Sequence, residues 1–315
     1  MKKCCVWRVL FLFTVLFYVL MLGACRHSSN SMDSAGDGTE IIFTDALEHE
    51  VRLKHVERTA VLSESLAQAW LLAGGELAGT SEDAKEILDA HPDMVNLGAL
   101  KTPSAETLMA EGMELVILSS AIPGHVKLYD TLEKAGIVTA YFDIETFEDY
   151  KAMMGIFTDF TGNKKLYEEN VTSVEKAIEE QIARADGSSP KILLLRAYST
   201  GVRAKNSDTM TGKMLLDLGC VNIADSDGGL LEDLNMEAIL VADPDFIFVT
   251  TMGSSQEAAL SMVDELLASN PAWQGLTAVK DDKFYVLEKE LFHNKPNNRW
   301  GESYEILADI LYDGK

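Results

Sequence analysis

The chain has 315 residues, with 27 Lys or Arg against 50 Asp or Glu, a formal net charge of −23 and a pI near 4.6. Such an acidic chain without a basic block excludes a general nucleic-acid binder, because neutralising phosphates needs clustered cations. At 47% hydrophobic and 24% charged residues the composition is that of a globular protein, long enough for one large domain or two of roughly 100–150 residues.

Residues 1–24 read as an export signal. Lys2, Lys3 and Arg8 supply the positive start, Val9 to Leu22 is almost wholly apolar, and Gly23-Ala24 precede Cys25 as in a bacterial lipobox. The expectation is cleavage before Cys25 and acylation of that thiol, with an uncleaved anchor or an ordinary signal peptide as competing readings. Residues 25–39, rich in Ser, Gly and Asp, read as a flexible tether. The body is therefore expected outside the cytoplasm, lipid-anchored to the bacterial cell membrane. Cys4 and Cys5 leave with the signal and Cys25 is lipidated, so Cys220 remains as the one ordinary thiol and neither a disulfide nor a Cys-based zinc site is expected.

Glu40 to Leu53 alternates as a hairpin does, with a polar turn near Glu48-His49. Thr59 to Leu62 reads as a buried strand that leads through Ser63-Glu64-Ser65 into a helix over Leu66 to Leu72, stopped at Gly74-Gly75. Leu115 to Leu118 and Val138 to Phe142 read as further strands, separated by a helix around Val126 to Ala135. This alternation predicts an α/β fold with a largely parallel sheet. Phe147 to Asp186 is helical in character, with Gly162 to break or bend it, and its charged second half suits a strut between lobes. The cluster Asp186-Gly187-Ser188-Ser189-Pro190 ends it, and a second α/β series begins at Lys191.

Residues 106–118, ETLMAEGMELVIL, and 237–249, EAILVADPDFIFV, match in type without a gap. Glu106 aligns with Glu237, Leu108 with Ile239, Glu114 with Asp245, and Leu115-Val116-Ile117-Leu118 with Phe246-Ile247-Phe248-Val249. The separation is that of a lobe, not of a solenoid repeat. Two similar α/β lobes joined by a helix is the simplest reading.

In order, IIFTDALEHEVRL, RTAVLSESLAQAWLLAGG, PSAETLMAEGMELVIL, NMEAILVADPDFIFV and LTAVKDDKFYVL with a C-terminal helix resemble the iron-chelate and vitamin B12 class of substrate-binding proteins of ABC importers. The resemblance runs from about Glu40 to Tyr312. It departs from the usual pattern where Glu48-His49 replaces Gly-Arg in the hairpin turn and Met113-Glu114 replaces Pro-Asp before a strand.

The resemblance implies two Rossmann-like lobes, residues 40–160 and 188–315, joined by a long helix over 161–187, with the ligand held in the cleft between them. It implies a carrier and not an enzyme, needing no cofactor, with an iron complex, haem or corrinoid as bound ligand. It also implies an ABC permease and its ATPase as partners, docked through Glu106 and Glu237. Each glutamate follows a capping residue by two, Ser104 and Asn235, and so sits in a helix's first turn, where the dipole favours a carboxylate by ~0.3–1 kcal/mol with or without a partner.

Open α/β sheets bind ligands at the carboxyl ends of their strands. The candidate contacts there are Ser63, Glu64, Ser119, Ser120, His125, Arg196, Tyr198, Arg203 and Met252, and, from ELFHNKPNNRW, Phe292, His293, Lys295, Arg299 and Trp300. Basic side chains in so acidic a chain suit the anionic groups of a porphyrin or chelate, the alternative being a solvated face with Asn298 capping the last helix. His125, His293 and Tyr198 are the candidate axial ligands to a bound metal. The six histidines, at 27, 49, 55, 91, 125 and 293, show no ligand spacing, which disfavours a bare zinc or manganese ion. Two rival functions are a chelate-modifying enzyme of chelatase or reductase type and a lipid-anchored adhesion or signalling module. The first lacks any Gly-x-Ser-x-Gly, P-loop, dinucleotide or HExxH motif.

Overall fold

Alternate residues of the longest strands part company, one set entering an apolar cluster common to the molecule and the other a cluster private to its own half. A computed structural model describes residues 40–226, 228–232, 234–253 and 255–313. The export signal, Cys25 and the tether lie outside those residues. Among the described residues no helix is long and apolar enough to cross a membrane.

The chain opens with the antiparallel hairpin β1 (Ile41–Thr44) and β2 (Glu50–Leu53). Its turn is tied by Asp45, whose Oδ1 accepts from the backbone N–H groups of Leu47 and His49, both at 2.9 Å. Glu48 takes φ +64°, a left-handed conformation for which glycine is the unstrained choice. This is the position where the resemblance expects glycine.

The first lobe is a parallel sheet in the order β5-β4-β3-β6-β7, with β3 Thr59–Val61, β4 Gly79–Thr80, β5 Val95–Asn96, β6 Leu115–Ser119 and β7 Val138–Phe142. The second is the sheet β10-β8-β11-β12, with β8 Lys191–Tyr198, β10 Val221–Asn222, β11 Phe246–Thr251 and β12 Phe284–Val286, all parallel. Here β9, Gly201–Lys205, folds back antiparallel on β8. The expected internal repeat is visible in this topology. β3-β6-β7 and β8-β11-β12 have the same order, and the two matched segments each form a helix leading into the middle strand of the three, β6 or β11. The equivalence extends to single bonds. Glu114 accepts from the N–H of Glu57 at 2.6 Å and Asp245 from that of Lys191 at 2.8 Å, each clasping the chain as it enters the neighbouring strand.

Leu115 and Ile117 of β6, Ile192 and Leu194 of β8, and Phe246 and Phe248 of β11 face one cluster that also contains Trp70, Phe157, Val174, Ile178, Trp300, Tyr304 and Leu307. Val116 and Leu118 face a cluster confined to the first lobe, and Leu193, Leu195, Ile247 and Val249 one confined to the second. The strands are buried on both faces, as a parallel sheet with helices on either side requires.

The helical stretch from Phe147 to Asp186 divides at Gly162, the residue expected to break or bend it, and there are two helices. The first, Phe147–Thr161, begins in a Thr146–Asp149 capping box and ends at Gly162, whose left-handed φ of +70° terminates it. The connecting helix then runs from Lys164 to Ile182 with a wider π-type turn at Glu168–Thr172, narrower than the anticipated 161–187. That turn holds Asn170, whose side-chain amide donates to Leu72 O and Leu166 O, both at 3.1 Å, while its Oδ1 accepts from Asn298 Nδ2 at 3.2 Å. Elements of both lobes thus meet on one residue of the strut.

The C-terminal helix Trp300–Ala308 lies along the connecting helix so closely that a Cβ on Gly301 would stand 2.9 Å from the Cβ of Ala177. Gly301→Val should therefore force the two helices apart and cost about 1–3 kcal/mol. Urea denaturation checks this, and an unchanged or raised midpoint would contradict the contact.

Candidate functional site

The carboxyl edges of both sheets border a cleft of about 680 Å³. From the first lobe it is lined by Ser63 and Glu64 after β3, Asp83 and Glu86 after β4, Ser119 and Ala121 at the end of β6, and Asp143 to Glu145 after β7. From the second come Arg196, Met252, Glu290, Phe292, His293, Asn294, Lys295, Pro296 and Arg299.

The helix Glu64–Leu72 starts at the cleft wall. Ser63 caps it, accepting from the Leu66 N–H at 3.4 Å, and the Glu64 N–H donates to Asp83 Oδ2 at 3.0 Å. Asp83 also accepts from the Ser81 hydroxyl at 2.6 Å, so the β4 loop is fixed against the helix start. Across the cleft, Asn297 takes φ +53° and is buried; its Nδ2 donates to Ser65 O at 2.9 Å and Gln68 Oε1 at 3.2 Å. Lys295 pairs with Glu145 at 3.0 Å. Two polar straps therefore join the lobes beside the opening. Among the described residues no group of three or more His, Cys, Asp or Glu side chains is arranged to hold a metal ion.

Of the sequence candidates, Ser63, Glu64, Ser119, Arg196, Met252, Phe292, His293, Lys295 and Arg299 line the cleft. Ser120, His125, Tyr198, Arg203 and Trp300 do not. His125 is fully buried, its Nδ1 accepting from the Ser119 N–H at 3.1 Å and its Nε2–H donating to Leu100 O at 2.8 Å. Both ring nitrogens are used in holding the β6 loop, so the expected axial-ligand role gives way to a structural one. Tyr198 and Arg203 lie on the β8–β9 hairpin, where a cleft loop was expected, and the exposed Arg203 donates to Glu232 O at 3.0 Å. Trp300 is buried edge-on to Phe147, with ring centroids 6.0 Å apart.

Sequence reasoning missed Asp83, Glu86, Asp143, Glu145 and Glu290. All but Glu290 follow a strand's carboxyl end, the same rule that found Ser63 and Ser119.

Glu106 and Glu237 are exposed on the matched helices Ala105–Ala110 and Met236–Ala242, whose caps are Ser104 and Asn235 as expected. One turn after each stands an exposed apolar side chain, Met109 at 40% and Leu240 at 41%.

The chain resembles solved structures throughout this architecture. The Vibrio cholerae periplasmic catecholate-siderophore binding protein VctP superposes with a TM-score of 0.69 at 15% identity, covering 86% of this chain and 99% of that one. Staphylococcus aureus SirA complexed with staphyloferrin B gives 0.65 at 21%, covering 87% and 97%, and a periplasmic haem-binding protein from Pseudomonas aeruginosa gives 0.64 at 21%, covering 81% and 92%. At such identities the likeness establishes the two-lobed fold. No curated protein matches the chain in sequence. The periplasmic binding protein family model matches residues 60–291, most of the chain and both lobes, and the protein belongs to that family.

Proposed function

We propose that the protein is the extracytoplasmic substrate-binding component of an ABC importer, anchored by an acylated Cys25, and that its cleft carries a metal chelate such as a ferric siderophore, haem or corrinoid to the permease. The observation that carries this reading is a cleft of about 680 Å³, lined from both lobes by charged and polar side chains that do not converge on a metal site among the described residues. A cavity of that size takes a bulky organic ligand. The siderophore and haem proteins among the structural neighbours support the same class of cargo. The chelate is passed on unchanged, as a passenger and not a reactant.

Of the three candidate axial ligands, His293 is the one in the cleft lining. Burial and then the charges of Arg196, Lys289 and Lys295 push its pKa down to about 4, so its ring is neutral at pH 7, the form that ligates metals. Its Nδ1 is buried without a hydrogen-bond partner among the described residues.

Glu106 and Glu237, with Met109 and Leu240 beside them, offer the permease, and through it the ATPase, one charged and one apolar contact per lobe. The Phe292–Trp300 segment then serves the ligand through Phe292, His293, Lys295 and Arg299, and the fold through Asn297 and Trp300.

Titration with ferric chelates, haem and a corrinoid should reveal one saturable site per chain, and Glu106→Arg with Glu237→Arg should abolish uptake while chelate affinity persists. Turnover of the chelate, or uptake unaffected by both reversals, would contradict the carrier and docking assignments respectively. NMR titration of the His293 ring should give a midpoint near 4, rising when Arg196→Gln removes a neighbouring cation. Because the unfolded imidazole binds its proton at higher pH than the folded one, this residue makes stability fall as pH drops from about 6.5 toward 4. A His293 midpoint at or above the ordinary value would exclude the half-buried, cation-crowded environment.

A further inference from the structure

The imidazole of His125 joins two segments of the cleft wall from behind. Leu100 borders the cleft after β5, and Ser119, Ala121 and Ile122 border it at and after the end of β6. His125 lies in the short helix Pro123–Val126 and is fully buried. Its Nδ1 is 3.1 Å from the Ser119 nitrogen and its Nε2 2.8 Å from Leu100 O, so one ring spans both segments. A second contact ties the same pair: a Cβ on Gly124 would stand 2.0 Å from Lys101 O, which brings the short helix against the Leu100 loop backbone to backbone. The helix is fixed from the sheet as well, since the Tyr141 hydroxyl donates to His125 O at 3.1 Å.

Both partners are backbone groups, and they dictate the state of the ring. The Ser119 N–H only donates and Leu100 O only accepts, so the two bonds together require a neutral imidazole with its proton on Nε2. A second proton, on Nδ1, would set two N–H groups against each other in a place closed to water. The bond to Ser119 must then break, and its N–H loses its acceptor at the edge of the cleft.

The groups around the ring come from four elements. Asp83, after β4, is the charge that acts on it and favours the imidazolium. Tyr141, from β7, keeps its phenolic proton, because burial raises its pKa. Lys101 on the Leu100 loop and Lys127 after the short helix are exposed. Burial outweighs Asp83 and the bond to Leu100 and holds the His125 pKa below the ordinary histidine value.

We propose that His125 is a positioning residue for cargo binding: its neutral ring holds Leu100 and the Ser119–Ile122 segment in the arrangement that accepts the chelate, and its protonation releases them. This rests on the chelate-carrier reading above and adds how that site responds to acid. If only the neutral ring supports tight binding, affinity falls as pH drops through the His125 midpoint of the free protein. By reciprocity, bound chelate lowers that midpoint by the same factor.

NMR of the full chain in detergent, with labelled histidine, should report the Nε2–H tautomer of His125 at neutral pH and a single midpoint below the ordinary value. The Ser119 amide resonance should move in step with that titration. A ferric trihydroxamate, a ferric catecholate, haem and a corrinoid are then tested by equilibrium dialysis at neutral pH, and each one that binds is followed to lower pH. His125→Asn keeps a carbonyl acceptor for the Ser119 N–H and does not titrate. The affinity of the natural chain relative to this variant should fall about tenfold as His125 takes up its proton, a ratio that cancels the acid response of the chelate and of His293. The natural chain also answers alone, so the test does not depend on the variant folding. Bound chelate, with gallium(III) in place of iron for sharp spectra, should lower the His125 midpoint by about one unit, the same tenfold coupling. The Nδ1–H tautomer, a midpoint unmoved by bound chelate, or one pH profile shared by the natural chain and His125→Asn would overturn the positioning role and leave chelate carriage standing. Binding of no panel member at neutral pH would overturn the carrier reading itself, and the proton coupling with it.

Discussion

One apolar cluster shared by both lobes is the constraint on which the rest of the structure depends. The connecting helix contributes Val174 and Ile178 to it, the first lobe Trp70 and Phe157, and the second Met214, Leu218 and the C-terminal helix. Burying a large apolar side chain is worth about 1.5–3 kcal/mol, so a motion that exposed even a few of these residues would cost several kcal/mol. Asn170 and Asn297 add hydrogen bonds between elements of the two lobes, and a buried amide that lost such partners would add its own penalty. The lobes therefore behave as a preformed frame whose carboxyl edges border the same cleft. Ligand selection falls to the loops on that frame.

Those loops divide the labour unevenly. Asp83 fixes the entry to the helix at Glu64, His125 holds the β6 loop from inside, and Asn297 pins the second lobe's last loop to the first. With these polar groups engaged, the remaining cleft side chains are free to meet a ligand. The result is a site lined by both carboxylates and cations, in a chain whose overall charge is strongly negative. A net negative body alone would repel anionic cargo, and Arg196, Lys289 and Lys295 around His293 provide a local exception.

Much of the fold was legible in the sequence. Four-residue apolar runs such as Leu115–Leu118 announce strands buried on both faces, and the ungapped match around Glu106 and Glu237 announced the duplicated lobe. Gly162 marked the place where the helical stretch divides, and its left-handed backbone is the physical reason. The site was legible in part. Ser63 and Ser119 followed from strand ends and His293 from the basic and aromatic segment before the last helix, but β4 has only two residues and no period, so the segment bearing Asp83 and Glu86 gave no signal. Acidic residues also carry little contrast in so acidic a chain. The overreading of His125 has the opposite cause: a loop histidine looks available until the partners of both ring nitrogens are known. Tyr198 and Arg203 were misplaced because β8 runs on through Tyr198 into a hairpin, where a cleft loop had been expected.

Ligand binding between halves held by one cluster should proceed with little relative movement. The most direct measurement places spin labels at two exposed positions, Glu133 in the first lobe and Glu257 in the second, with the buried Cys220 left in place and the three N-terminal cysteines replaced by serine. Pulsed electron paramagnetic resonance should return one narrow distance distribution whose mean is nearly the same with and without bound chelate. A broad or two-peaked distribution in the free protein, collapsing to a much shorter distance on binding, would contradict a fixed frame.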